Sequence, residues 1–272
     1  MSFIISSAVS LTVHNTDLNQ RSTVLNQVVD ATAATASPIT VTAVDPQTTG
    51  KRVTQYLTAM ETNFRTGQDA KDVANALVST MQTLTEQRPD LANAQFDFQS
   101  DNGSIKVTSN TLSDSDKTWL QNLLNSNGSL VQAVHAFHSD AVSGYAQWAE
   151  ADGAPLTDAQ SQAISKTVDR KTNFMDIFQQ LNTQGAQWVS EGGGTLEGSN
   201  GSKIDFSQNA KTAAGFLSFM QSAQIVENGA DRYVESNGTV SYGGIKGDLF
   251  DQSLMPDFFP TPSTSIGVHE TA

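Results

Sequence analysis

The stretch Phe96-Asp97-Phe98-Gln99-Ser100-Asp101-Asn102-Gly103-Ser104-Ile105-Lys106-Val107 decides how this chain is read. Phe96 and Phe98 alternate with polar residues, and so do Ile105 and Val107. A period of two places each pair on one face of a strand. Between the pairs lies Asp101-Asn102-Gly103-Ser104. Asn-Gly accepts the positive φ angles of a tight turn, so residues 94–107 are expected to form a β-hairpin. On both sides the period changes to 3.6, which sets a short hairpin inside a helical chain.

Upstream, Val53, Tyr56, Leu57, Met60 and Phe64 repeat at helical spacing and are expected to form one buried face. Gly67 is expected to stop that helix and Asp69 to cap the next, which carries Val73, Leu77, Met81 and Leu84. The two should pack as an antiparallel hairpin. Before them, residues 17–36 form a helix candidate with Leu18, Leu25, Val28, Val29 and Ala36 on one face, and residues 38–50 read as a linker. Downstream, Ser113 and Asp116 resemble a capping box that opens a helix with Trp119, Leu120, Leu123 and Leu124. Asn127-Gly128 ends it. The next helix carries Leu130, Val134, Phe137, Ala141, Tyr145 and Trp148, and stops at the loop 152–155. Thr157 and Gln160 form a second capping box, opening a helix expected to run to about Ser190. It carries Ile164, Val168, Met175, Phe178, Leu181 and Trp188. Gly192-Gly193-Gly194 ends it.

Two more hairpins follow from the same turn chemistry. One pairs Thr195–Glu197 with Lys203–Phe206, so it spans 195–206. The other lies at 233–242 around Asn237-Gly238. Between them Ser207 is expected to cap a helix with Ala210, Ala214, Leu217, Met220 and Ile225. Leu249, Phe250, Phe258 and Phe259 are candidate anchors in the last part. The fold class expected is therefore mainly α, formally α+β: amphipathic helices in a bundle-like body with two or three short antiparallel hairpins. Residues 1–50 are read as an N-terminal arm, 51–250 as the body, with an option of two lobes at 51–152 and 156–250, and 251–272 as a flexible tail. Helix, hairpin and capped helix recur around 70–125 and 160–225. The flanking residues match poorly, which favours chance repetition over duplication.

Composition narrows the function classes. The 272 residues carry a net charge of −13, with only 15 Lys and Arg and 16% charged residues, below the roughly 25% usual in soluble domains. A nucleic-acid footprint needs a basic stripe, and none is present. Anionic membrane surfaces would repel the chain, and no segment has the length of a membrane span. There is no cysteine, which excludes disulfides, thiolate metal sites, iron–sulfur clusters and a thiol nucleophile.

Motifs for chemistry fail one by one. His135 and His138 are three apart on a helix, with Asp140 near in sequence, but a metal site needs further ligands. An EF-hand loop needs Asp five residues before its Gly; Gly103 and Gly201 place Phe98 and Leu196 there. The glycines at 192–194 lack the Gly-Lys-Ser/Thr of a phosphate loop, and no Gly-x-Ser-x-Gly elbow occurs. The densest carboxylates are Asp97, Asp101, Asp114, Asp116, Glu150, Asp152 and Asp205, most of them at turns or helix starts where acids stabilise the N-terminus. Trp119, Phe137, Tyr145, Trp148, Phe174, Phe178 and Trp188 form an aromatic seam expected to be core. No catalytic, cofactor-binding or metal residue is assigned, and no cofactor is expected.

Residues 1–15, MSFIISSAVSLTVHN, are uncharged apart from a histidine and rich in Ser and Ile. The first basic residue, Arg21, follows the apolar stretch, so a Sec signal peptide is not expected. In composition the first twenty residues resemble the export segments of type III secretion substrates. That resemblance implies a secreted or cell-surface bacterial protein, connected with virulence, that acts by protein–protein interaction. A secretion chaperone or a host protein would be its partner. Two other readings are a carboxylate-dependent hydrolase and a virion or filament subunit.

Overall fold

The computed structural model describes residues 46–192, 194–198, 201–229, 232–235, 238–242 and 247–250. The expected helix 17–36 and the segment 251–272, with Phe258 and Phe259, lie outside the described residues. Among the described residues the chain is mainly helical, as expected. The helices are α1 (Pro46–Gln87), α2 (Asp114–Ser126), α3 (Gly128–Ala151), α4 (Asp158–Lys171), α5 (Phe174–Gly192) and α6 (Ala213–Asn228). Strands β1 (Asp97–Asp101) and β2 (Ser104–Thr108) form one antiparallel pair. Strands β3 (Gly194–Glu197), β4 (Arg232–Glu235) and β5 (Val240–Tyr242) form a second small sheet in the order β3-β4-β5. None of the described helices is long and apolar enough to cross a membrane.

The hairpin at 96–107 forms as read. Phe98 lies opposite Val107 and Ser100 opposite Ile105. Asn102 has φ 50° and Gly103 φ 84°, the pair of positive angles a two-residue turn requires. The outer edge of β2 is closed by side chains of α2. Ile105 N–H donates to Asn125 Oδ1 at 2.9 Å, Asn125 Nδ2 donates to the Ile105 carbonyl at 2.7 Å, and Val107 N–H donates to Gln121 Oε1 at 3.1 Å. These bonds satisfy an edge that would otherwise be open to another strand.

The Thr157 box forms in full, and Ser113 caps α2 with its Asp116 partner bonded to the hydroxyl rather than to the Ser113 backbone. Ser113 Oγ accepts from Asp116 N–H at 3.2 Å and donates to its carboxylate at 2.6 Å. Gln160 N–H donates to Thr157 Oγ1 at 3.3 Å while Thr157 N–H donates to Gln160 Oε1 at 2.9 Å. Asn127 turns α2 into α3: its Oδ1 accepts from Leu130 N–H, and its Nδ2 reaches the Ala76 carbonyl of α1 at 2.9 Å.

Four sequence expectations are corrected. First, α1 runs unbroken for 42 residues through Gly67 and Asp69, and it begins at Pro46, inside the expected linker. A helical glycine costs about 1 kcal/mol. Here Gly67 is buried, as are Thr66 and Ala70 of α1 and Ala141 and Gly144 of α3. Second, the helix expected from 157 to 190 is two helices, broken at Thr172-Asn173. Asp97 and Gln99 of β1 satisfy both broken ends. Asp97 Oδ1 and Oδ2 accept the N–H groups of Met175 and Asp176 at 3.0 Å each, and Gln99 Nε2 donates to the Arg170 carbonyl at 2.8 Å.

Third, β3 pairs with β4, not with 203–206; one bridge, Glu197 with Lys203, remains of the expected hairpin. Residue 205 hydrogen-bonds to α6 instead: Asp205 N–H donates to Ser222 Oγ at 2.9 Å, and the Ser218 and Ser222 hydroxyls donate to its carbonyl. Fourth, α6 starts at Ala213, capped by Thr212, whose Oγ1 accepts from Gly215 N–H at 3.0 Å. Ser207 is held in a turn by Asp205. The hairpin at 233–242 forms, with Val234 opposite Val240.

One core collects residues from both sides of the loop at 152–155. Phe98 and Phe137 both pack on Phe174, with ring centroids 5.1 Å apart in each pair. Phe178 meets Phe216 at 5.2 Å, and Phe250 meets Phe219 at 6.1 Å. The two helix–hairpin–helix stretches differ in topology, since β1 pairs with β2 across a two-residue turn whereas β3 pairs with β4 across α6.

Candidate functional site

The aromatic seam is core. Phe137, Phe174 and Phe178 are fully buried, Trp148 packs on Tyr56, and Trp119, Tyr145 and Trp188 lie partly buried against the main cluster. His135 is exposed, while His138 Nε2 sits 3.2 Å from Asp169 Oδ1 and 3.3 Å from Ser165 Oγ. No group of three metal-ligating side chains occurs among the described residues.

The seven carboxylates do not converge. Asp114 pairs with Lys117, and Asp116 with Arg88. Glu150 accepts from Gln55 Nε2 at 2.9 Å, and Asp152 accepts from Tyr56 Oη at 2.5 Å, both fastening α3 to α1. Asp101 accepts from Asn102 in the hairpin turn, and Asp205 holds its own turn. Asp97 is buried and serves the α5 N-terminus. Burial pushes its carboxyl up to about 6, against the pull of the Met175 and Phe98 N–H groups.

One carboxyl missed by sequence reading is Asp69. Its Oδ2 is buried without a hydrogen-bond partner on the α1–α3 seam. Burial, then the nearby carboxylates of Asp140 and Asp72, push it up to about 6. Arg65 binds Asp140 at 3.0 Å beside it. A cavity of about 550 Å³ lies between α3, α4 and α5, with Tyr145, Ile164, Val168 and Ile177 as apolar walls and Lys171 and Asp176 among its polar lining. Asp176 is engaged by Lys211 at 2.6 Å.

The outstanding surface is on α1. Of the five residues expected to form a buried face, only Tyr56 is inside, at 6% exposure. Leu57 is 60% exposed, Phe64 58%, Met60 46% and Val53 36%. These four lie at i, i+4, i+7 and i+11, the spacing of a helix seam. The buried face of this half is Tyr56, Ala59, Thr62, Thr66 and Gly67, roughly a third of a turn away. A signal for this existed. The row Val73, Leu77, Met81, Leu84, extended backwards through one continuous helix, passes through Ala70, Thr66 and Ala59. The expected stop at Gly67 hid that phase. Lys51, exposed and without an ion pair among the described residues, precedes the row on the far side of the helix, and Arg52 lies on the packed side, bonded to the Ala151 carbonyl at 3.2 Å.

Comparison with known protein families, with curated proteins and with solved structures finds no match.

Proposed function

We propose that this chain is a non-enzymatic protein that works by contact with a protein partner, and that the contact surface is the Val53, Leu57, Met60, Phe64 row of α1. The observation that carries the reading is the exposure of these four large apolar side chains at seam spacing on a helix whose other face is packed. An isolated exposed Leu is ordinary; an aligned row over three turns is the surface that a helix-in-groove or helix-on-helix partner uses. The complementary partner is an amphipathic helix with apolar residues at the same spacing.

Selection of displayed amphipathic peptide helices on the purified chain tests this. Peptides are expected to be retained by the chain and lost on a Leu57→Glu, Phe64→Glu variant of unchanged circular dichroism. Equal selection on both proteins, or none on either, would sink the reading. The setting we propose is export without a Sec signal, in the manner of a type III secretion substrate, with a secretion chaperone or a host protein as the partner. It is supported by the composition of residues 1–20 and the lack of cysteine. A reporter fused to residues 1–30 is expected to leave the cell only when a type III apparatus is present; retention in its presence would remove the support.

A further inference from the structure

Val168 is the one buried residue of α4. Polar contacts hold the rest of the helix: His138 Nε2 of α3 lies 3.2 Å from Asp169 Oδ1, and Gln99 Nε2 of β1 donates to the Arg170 carbonyl at 2.8 Å. Beside α4 lies the cavity of about 550 Å³, which falls within the roughly 300–1,000 Å³ of small-ligand sites. Ala141 and Tyr145 of α3, Ile164 and Val168 of α4, and Ile177 of α5 make its apolar walls. Ala163, Lys171 and Gln180, all exposed, stand where it opens to solvent. A helix with a single buried side chain shifts at low cost, which eases entry from that side.

The polar groups around the cavity are spent unevenly. Thr167 Oγ1 donates to the Ala163 carbonyl at 2.8 Å, and Asp176 is neutralised by Lys211 at 2.6 Å. Asn173 Oδ1 accepts from Gln99 Nε2 at 2.7 Å. Among the described residues Lys171 has no ion pair, and Asn173 Nδ2 has no hydrogen bond. Thr172 and Gln180 are neutral and can donate or accept. The unbalanced charge at the cavity is therefore positive. Lys171 follows Ile164 by two turns and Val168 by one, so it shares their face. The negative end of the helix dipole is already met by Arg170, which does not line the cavity. Lys166, Arg170 and Lys171 stand against Asp158 and Asp169, and α4 is the one helix among the described residues with a basic excess, in a chain of net charge −13.

We propose that this cavity binds a small amphipathic carboxylate. The apolar body packs on Tyr145, Ile164, Val168 and Ile177, and the head accepts from Lys171 Nζ and Asn173 Nδ2. Ile164 to Lys171 is roughly 10 Å along α4, about the length of a medium acyl chain. A carboxylate uses both spare donors and balances the lysine. An ammonium head would meet Lys171 as a like charge, and an uncharged molecule would leave it unpaired. The site lies apart from the α1 row and does not depend on the partner reading.

Decanoate, with decylammonium as the probe of opposite charge, tests this by calorimetric titration of the full chain and by methyl NMR. The Leu57→Glu, Phe64→Glu variant serves as the host, so that binding to the α1 row is not counted. Decanoate is expected to shift the methyl signals of Ile164, Val168 and Ile177. It is expected to bind at least about tenfold more tightly than decylammonium, and about tenfold more weakly once Lys171→Gln is introduced. Ala163→Trp, a filling substitution at an exposed wall position, is expected to abolish binding with circular dichroism unchanged. No response to millimolar decanoate, or shifts confined to other methyl groups, would overturn the proposal. So would decylammonium binding as tightly as decanoate, or decanoate binding unchanged by Lys171→Gln.

Discussion

Asp69 points into the seam between α1 and α3, where Asp140 and Asp72 already carry negative charge and one of its own oxygens has no hydrogen-bond partner. Its carboxyl therefore holds a proton up to about pH 6, where a free aspartate releases it near 4. The sign follows from linkage. The folded state binds this proton more tightly than the unfolded chain, so the contribution is fully present below about pH 4. It is lost as pH rises through 6. Partial contact with water reduces the effect to about 1 kcal/mol. The chain should be more stable at pH 5 than at pH 7.5. Asp69→Asn should raise stability at pH 7.5 by about that amount and flatten the fall between the two. Asp97, also raised to about 6, should keep part of the slope in the variant. Denaturant unfolding at the two pH values measures this; a variant less stable than the parent at pH 7.5 would contradict it.

At the scale of elements, the decisive joint is where β1 meets the gap between α4 and α5. The strand alternation that sends Phe98 into the core sends Asp97 and Gln99 to the other side, against the exposed backbone of two helix ends. Asp97 also accepts from its neighbour Phe98 N–H at 2.8 Å. Removing the carboxylate strands the Met175, Asp176 and Phe98 N–H groups in a buried place. Loss of a helix cap costs about 0.5–2 kcal/mol, and each unsatisfied buried donor about 1–3. Asp97→Ala should therefore destabilise the fold by about 2–4 kcal/mol, with Asp205→Ala, in an exposed turn, as the mild control. A loss for Asp97→Ala no greater than the control's, in the same denaturant titration, would show that the strand does not hold the helix break. Gly215 marks a similarly tight joint: a Cβ there would stand 2.0 Å from the Asn209 carbonyl oxygen, so the start of α6 tolerates only glycine.

For the whole molecule, burial is uneven along one helix. The second half of α1 is a core element, with Ala70, Val73, Ala74, Leu77, Met81 and Leu84 fully buried. The first half is packed on one side by α3 and carries its bulkiest residues outward. A folded body that buries one half of a helix and displays the other offers a rigid, preordered contact surface. The high negative charge keeps copies apart in solution, which makes an exposed apolar row easier to tolerate.

Features governed by near neighbours were legible in the residues. Ser113 with Asp116, Thr157 with Gln160, and Asn102-Gly103 each carry their geometry within four residues: the last two form as read, and Ser113 caps its helix through the Asp116 N–H. The anchors Leu249 and Phe250 announced themselves by size. Features governed by distant partners were not legible. Gly67 stays helical within a helix packed along α3, where it is buried. The helix break at Thr172-Asn173 exists because a carboxylate 75 positions earlier reaches α5. The 195–206 pairing stops at one bridge, and beyond it the backbone of Asp205 is bonded by α6 hydroxyls, while β3 takes β4, more than thirty positions on, along its length. The exposed row of α1 has the same period as a buried one, and period alone states that residues share a face without stating which way the face points. Local propensity and spacing therefore settle the kinds of element and their caps. Only packing decides which helices are continuous, which strands pair, and which apolar face is left for a partner, because those outcomes depend on contacts between residues far apart in the chain.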